Sequence, residues 1–267
     1  MNSTSISNTV LEIKNLTISY NFSRYQAKGI RDLFIDIISS PINFFFDRPQ
    51  KIDILKNISL EIHKGERVAL IGINGAGKTS LCRTISGMYG SKKEITINGR
   101  LRSIFDTASV IQPELSGREN AWIITNIIYS NLPKEERAEI VEDSLKFSDL
   151  KEYIEAPFKH YSKGMKVRLF LSIVSAKPCD FLILDEVFNG ADIFFNERIS
   201  ERILNVINES GAVFFISHSE ELIHKVCNRA IVLGNKQILF DGKVDDAIKF
   251  YKKNYGEHLK YEELKEF

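Results

Sequence analysis

Gly72-Ile73-Asn74-Gly75-Ala76-Gly77-Lys78-Thr79-Ser80 is a glycine-rich turn that ends in Lys-Thr. Gly72, Gly75 and Gly77 permit backbone conformations that a β-carbon would forbid, so successive N–H groups can curl around phosphate oxygens. Lys78 supplies a charge for the β- and γ-phosphates, and the Thr79 hydroxyl suits a Mg²⁺ ligand. Arg67-Val68-Ala69-Leu70-Ile71 is a short apolar strand leading in, and Thr79 to Ser86 reads as a helix leading out. An anion held here would sit on a helix N-terminus, where the macrodipole and unpaired N–H groups favour negative charge. The stretch therefore predicts a nucleoside triphosphate site made by Gly72, Ile73, Asn74, Gly75, Ala76, Gly77, Lys78, Thr79 and Ser80.

Two later stretches point at the same site. Phe181-Leu182-Ile183-Leu184 reads as a buried strand ending in Asp185-Glu186. A carboxylate at a strand's C-terminal end beside a phosphate loop is where a metal-holding acid belongs. Asp185 would bind Mg²⁺ through water, and Glu186 would face the water attacking the γ-phosphate. Ala212-Val213-Phe214-Phe215-Ile216 is a second buried strand, followed by Ser217-His218, so an imidazole can reach the same phosphate. A carboxylate pair or a single histidine is commonly structural, but one nucleotide site accounts for all three in order.

The remaining chain supplies the frame. Val10 to Ile18 and Ile54 to Ile62 read as strands, separated by an insertion of about 21–52. Within it Ile30, Leu33, Phe34, Ile37 and Ile38 share one helical face, which Pro41 should end. That face either packs on its own domain or lies near a membrane or a membrane partner. Glu94 to Phe105 reads as two short strands around the Asn98-Gly99 turn. About 108–175 is helical in pattern, broken at Pro133 and Pro157, and predicts a helical subdomain. Helices over Asp192–Glu209 and Glu220–Cys227, a hairpin over Ile231–Phe240, a helix over Val244–Tyr251 and a charged tail over 255–267, read as a solvated helix, complete the expectation.

Composition narrows the class. Formal net charge is +1 over 267 residues, which provides no field for nucleic acid. Cys82, Cys179 and Cys227 lack metal-type spacing and suit a reducing compartment, with Cys82 read as packing. No apolar run reaches the roughly 18–20 residues that span a bilayer, and Met1 to Thr9 lacks the layout of a signal peptide.

The ordered set of phosphate loop, strand-Asp-Glu and strand-Ser-His resembles the ATP-binding subunit of ABC transporters, from about Val10 to Phe250. The resemblance implies an α/β fold of the P-loop ABC ATPase type, with a mixed sheet core, an inserted helical subdomain and one domain over 8–254. It implies that two subunits dimerise head to tail and that a signature segment of one caps the ATP of the other. Tyr161-Ser162-Lys163-Gly164-Met165 matches that segment, with Ser162 and Gly164 retained from Leu-Ser-Gly-Gly-Gln. Tyr20 sits where an aromatic residue would stack on adenine. Counting back from Glu119 puts the family's Mg²⁺-sensing glutamine near Thr107, with Gln112 five residues later. Asn189-Gly190-Ala191-Asp192 stands where the family has Ser-Ala-Leu-Asp.

Tyr-Ser-x-Gly-Met running into Arg168-Leu169 is similar to the polysaccharide-exporting group, carriers of O-antigen, capsule and teichoic acid. Pro113-Glu114-Leu115-Ser116-Gly117-Arg118-Glu119-Asn120 also looks like that group's Pro-Glu-Leu-Thr-Gly-Arg-Glu-Asn run. The resemblance implies an ATPase at the cytoplasmic face of the membrane. Its expected partners are a second copy and an integral membrane permease, with a lipid-linked glycan as cargo and no nucleic acid. The rival readings are a soluble ABC-type ATPase on nucleic acid or ribosomes, an exporter of another cargo, and a small kinase or GTPase. The last lacks a guanine-reading Asn-Lys-x-Asp, because Asn235-Lys236 is followed by Gln237-Ile238.

Overall fold

A computed structural model describes residues 8–22, 50–90, 92–104, 111–185, 197–217 and 219–263. Two sheets share one apolar layer. The smaller is antiparallel, in the order β2 (Gln50–His63), β1 (Thr9–Phe22), β4 (Ile95–Ile97). The larger runs β5 (Leu101–Ile104), β6 (Phe181–Asp185), β7 (Ala212–Ile216), β3 (Arg67–Ile71), β8 (Arg229–Gly234), β9 (Gln237–Gly242). Its first five strands are parallel and β9 is antiparallel, so the mixed sheet expected from the sequence is present.

The parallel strands are uninterrupted apolar runs because both of their faces are covered. Val68, Leu70, Phe181, Ile183, Phe214 and Ile231 pack toward β1, β2 and α1 (Lys78–Ile85). Ala69, Leu182, Leu184, Val213, Phe215 and Val232 point the other way, into a core shared with the remaining helices. Those helices are α2 (Gly117–Ile128), α3 (Lys134–Ser148), α4 (Lys163–Val174), α5 (Glu197–Glu209), α6 (Glu220–Val226) and α7 (Val244–Glu263). α2, α3 and α4 pack on one another. The last helix does not stop at Tyr251 but continues through Gly256 to Glu263.

The strands around Asn98-Gly99 form, but they do not pair with each other. β4 joins β1 while β5 joins β6. Asn98 is tied to the first sheet, its backbone N–H donating to the Val10 carbonyl at 2.9 Å and its side chain to the Thr9 carbonyl at 2.8 Å. Arg100 is tied to the second, its N–H donating to Asp180 Oδ2 at 2.8 Å. Gly99 (φ 107°) turns between them, and a β-carbon there would lie 2.7 Å from that of Asp180. A turn that looked local is a crossing point between sheets. Residues 23–49, which hold the expected amphipathic helix, lie outside the described residues, while Phe22 and Gln50 pair at the end of the β1–β2 ladder.

Candidate nucleotide site

The phosphate loop joins the end of β3 to the start of α1, as its sequence predicts. Gly75 (φ 79°) and Gly77 (φ 99°) occupy the left-handed region, which L side chains seldom adopt. Gly72 is needed for another reason: a β-carbon there would meet the Leu233 carbonyl of β8 at 2.5 Å. Gly77 caps α1 without a side-chain acceptor, and the first turn holds no acidic residue. The helix therefore presents backbone donors and the positive end of its dipole to the loop. Lys78 is buried, its Nζ donating to the carbonyls of Gly72 at 2.6 Å and Ile73 at 3.3 Å. The loop and its lysine are thus one preformed cationic cradle, with Thr79 half-buried at its floor.

Asp185 ends β6, buried, on the α1 side of the sheet. Burial, joined by this carboxylate's charge, holds the Cys82 thiol of α1 well above its ordinary range. Cys82 is accordingly a core residue, and the acid lies within electrostatic reach of the loop helix. Among the described residues no group of three or more His, Cys, Asp or Glu is placed to hold a metal by itself. That fits Mg²⁺, which is commonly held by one or two carboxylates together with substrate phosphates. Glu186 and His218 lie outside the described residues, as do Thr107 and Asn189-Gly190-Ala191-Asp192.

A cleft of about 740 Å³ extends from the loop. Besides Ile73 to Ser80 it is lined by Ile52, Asp53 and Ile54 of β2 and by Gly234, Asn235 and Lys236 of the β8–β9 turn. Sequence reading missed both groups. Asn235 (φ 47°) and Lys236 (φ 67°) are successive left-handed residues, a tight hairpin turn. The Lys236 carbonyl accepts from Lys56 N–H of β2 at 2.8 Å, which brings the turn to the cleft. The hairpin itself was legible; that long-range bond was not.

Tyr20 does not line that cleft but stands at its edge. Its ring meets Tyr89 edge-on, centroids 5.5 Å apart with an interplanar angle of 86°. Burial, and then the neighbouring Tyr89 hydroxyl, push the Tyr20 phenol up. The Tyr20 hydroxyl, and then the Arg83 charge, draw the Tyr89 phenol down.

The segment Ser162–Gly164 opens α4 at the surface. Ser162 is the N-cap, its hydroxyl accepting from Met165 N–H at 3.2 Å, and Ser162, Lys163 and Gly164 are all exposed. The upstream run from Pro113 to Asn120 supports it. Ser116 and Glu119 form a reciprocal capping box at the start of α2. Asn120, fully buried, accepts from Gln112 N–H at 2.8 Å and donates to the carbonyls of Gln112, Leu115 and Ser116 at 3.0–3.2 Å. Gln112 is exposed, and this clamp fixes its backbone. Gly117 packs directly against Tyr161, the residue before Ser162.

A profile of the ABC transporter family matches residues 55–189, from β2 past the end of β6. The chain belongs to the ABC transporter family. This ABC protein is an ATP-binding, ATP-hydrolysing subunit. It is 31% identical to an O-antigen export system ATP-binding protein RfbB of Klebsiella pneumoniae over 244 residues, 91% of this chain and 97% of that one. It is 33% identical to RfbE of Yersinia enterocolitica, also an O-antigen export system ATP-binding protein, over 83% of this chain and 92% of that one. The teichoic acids export ATP-binding protein TagH of Bacillus cereus is 32% identical over 97% of this chain and 46% of its own length. Among solved structures, a dimeric ATP-binding cassette in a post-hydrolysis state with ADP and Pi superposes with a TM-score of 0.63. Identity to it is 20%, over 88% of this chain and 98% of that one, so the likeness establishes the ABC ATPase fold alone.

Proposed function

We propose that this ABC ATPase powers export of a lipid-linked polysaccharide, of O-antigen, capsule or teichoic acid type, across the cytoplasmic membrane. The observation that carries the reading is the preformed cradle, in which Gly72, Gly75 and Gly77 shape the loop around buried Lys78. The cargo class rests on the relatives named for O-antigen and teichoic acid export and on the Pro113–Asn120 run. Among the described residues no helix is long and apolar enough to cross a membrane. In this reading the chain works at the cytoplasmic face with an integral membrane permease.

Ile73 to Ser80 would hold the triphosphate, with Lys78 neutralising its β- and γ-phosphates. Thr79 and Asp185 would hold Mg²⁺, which when bound offsets phosphate charge. Glu186, the residue after β6, orients the attacking water and accepts its proton, a role worth about 10²–10⁴-fold in rate. His218, two residues beyond β7, steadies the γ-phosphate. Two copies close head to tail, so that exposed Ser162 and Gly164 of one meet the ATP of the other through the N-terminus of α4. The family's sensing glutamine falls near Thr107, with Gln112 five residues later.

Glu186→Gln tests the chemistry. ATP binding should persist, turnover should fall at least about a hundredfold and a nucleotide-trapped dimer should accumulate. Normal hydrolysis by that variant would remove Glu186 from the role. Reconstitution with the permease and a lipid-linked glycan tests the cargo, with glycan-stimulated ATPase activity as the expected result. Stimulation only by a peptide or drug would reassign it.

A further inference from the structure

Three exposed large apolar side chains are linked beside the cleft through Tyr20: Tyr20 itself (38% exposed), its cross-strand partner Ile52 (46%) and its ring partner Tyr89 (40%). Tyr20 and Ile52 are cross-strand partners on β1 and β2, so their side chains share one face of the ladder. Ile52 lines the cleft, which places Tyr20 on the cleft's side as well. An exposed apolar cluster beside a phosphate loop suits the flat, apolar part of a nucleotide.

Tyr89 reaches this cluster because of how α1 ends. Gly87 (φ 76°) follows the C-cap Ser86; its N–H donates to the Thr84 carbonyl and that of Met88 to the Arg83 carbonyl, each at 3.0 Å. This is a Schellman motif, which reverses the chain at a left-handed glycine. It turns residues 88–89 back toward β1, where the rings of Tyr89 and Tyr20 meet in a T-shaped contact. Arg83 lies within electrostatic reach of both phenols, and Ser80 lies on the Tyr20 side. Ser80 belongs to the first turn of that helix and Arg83 to its last.

We infer that Tyr89 is a positioning residue for nucleotide binding: held by the turn after α1, it sets through its ring contact the orientation in which Tyr20 presents its ring to the base. The same helix then carries the phosphate cradle at one end and the support for the base contact at the other. The inference rests on the assignment of Tyr20 to the adenine.

The test is calorimetric titration of the full-length protein with ATP and with inorganic tripolyphosphate, which has no base. Tyr89→Ala should raise the Kd for ATP about two- to tenfold and leave that for tripolyphosphate unchanged. Tyr89→Phe keeps the ring and should fall between that variant and the wild type. Unchanged ATP affinity in Tyr89→Ala, with Tyr20→Ala weakened, overturns the role of Tyr89 while Tyr20 keeps its own. Equal weakening for both ligands also overturns it, since Tyr89 would then be supporting the loop rather than the base contact. Unchanged ATP affinity in Tyr20→Ala removes the base assignment itself, and this inference with it.

Discussion

A β-carbon on Gly117 would lie 2.0 Å from the hydroxyl of Tyr161. That hydroxyl donates to the Tyr153 carbonyl at 2.6 Å, so it has little freedom to retreat. Through this contact the start of α2 bears directly on the residue that precedes Ser162. The Pro113–Asn120 run is thus a structural support for the exposed segment that opens α4, and each of its polar residues has an assigned partner.

Gly117→Ala should destabilise the fold by about 1–3 kcal/mol, the usual range for overpacking a tight site. Because the strain falls on Tyr161, ATP affinity at the phosphate loop should hold while ATPase activity drops. Urea unfolding and steady-state ATPase assays on one preparation check both halves.

Asn120→Ala removes four hydrogen bonds from a fully buried position. Gln112 N–H loses its acceptor, while the carbonyls of Gln112, Leu115 and Ser116 keep the backbone N–H donors of Leu115, Phe158 and Asn120, so stability should fall by about 1–3 kcal/mol. Hydrogen exchange should quicken at Gln112 N–H, whose acceptor is the deleted Oδ1, ahead of amides in β3 or β6.

Lys78→Ala and Gly72→Ala should fail differently. Loss of the lysine removes charge from the cradle, so ATP affinity should fall with little change in Tm. Gly72→Ala drives a methyl group against the Leu233 carbonyl, so it should lose both affinity and Tm. Nucleotide titration paired with a thermal melt separates them.

Burial, only partly opposed by Arg67, pushes the Cys227 thiol up to about 12. In the unfolded chain that thiol ionises near the ordinary value of 9.0, while the folded chain keeps its proton. Its contribution is therefore fully present below about pH 9 and is lost as pH rises toward 12, by about 1.4 kcal/mol per pH unit. Cys227→Ala should show a correspondingly shallower loss of stability over that window in urea titrations.

The parts readable in the sequence are those whose physics is local. Glycine spacing around Lys78 marks a phosphate loop because the required backbone angles exclude other residues. The run Arg67–Ile71 reads as a short apolar strand, and Phe181–Leu184 and Ala212–Ile216 as buried ones, because an uninterrupted apolar run needs cover on both faces. Ser116 and Glu119, three apart, form a capping box within a single helical turn.

Other relations required distant chain segments. Asn98-Gly99 has the look of a hairpin turn, yet Thr9, Val10 and Asp180 draw its two sides into different sheets. Asn235 and Lys236 line the nucleotide cleft because Lys56, 180 residues earlier in the chain, holds their turn against β2. Tyr89 follows an ordinary helix end and meets Tyr20 only after Gly87 reverses the chain. The amino-acid order by itself determined that this protein binds a triphosphate, since the cradle is built from consecutive residues. Tertiary structure alone decided what surrounds it, because a cleft wall is assembled from side chains that share no segment of chain and only packing brings together.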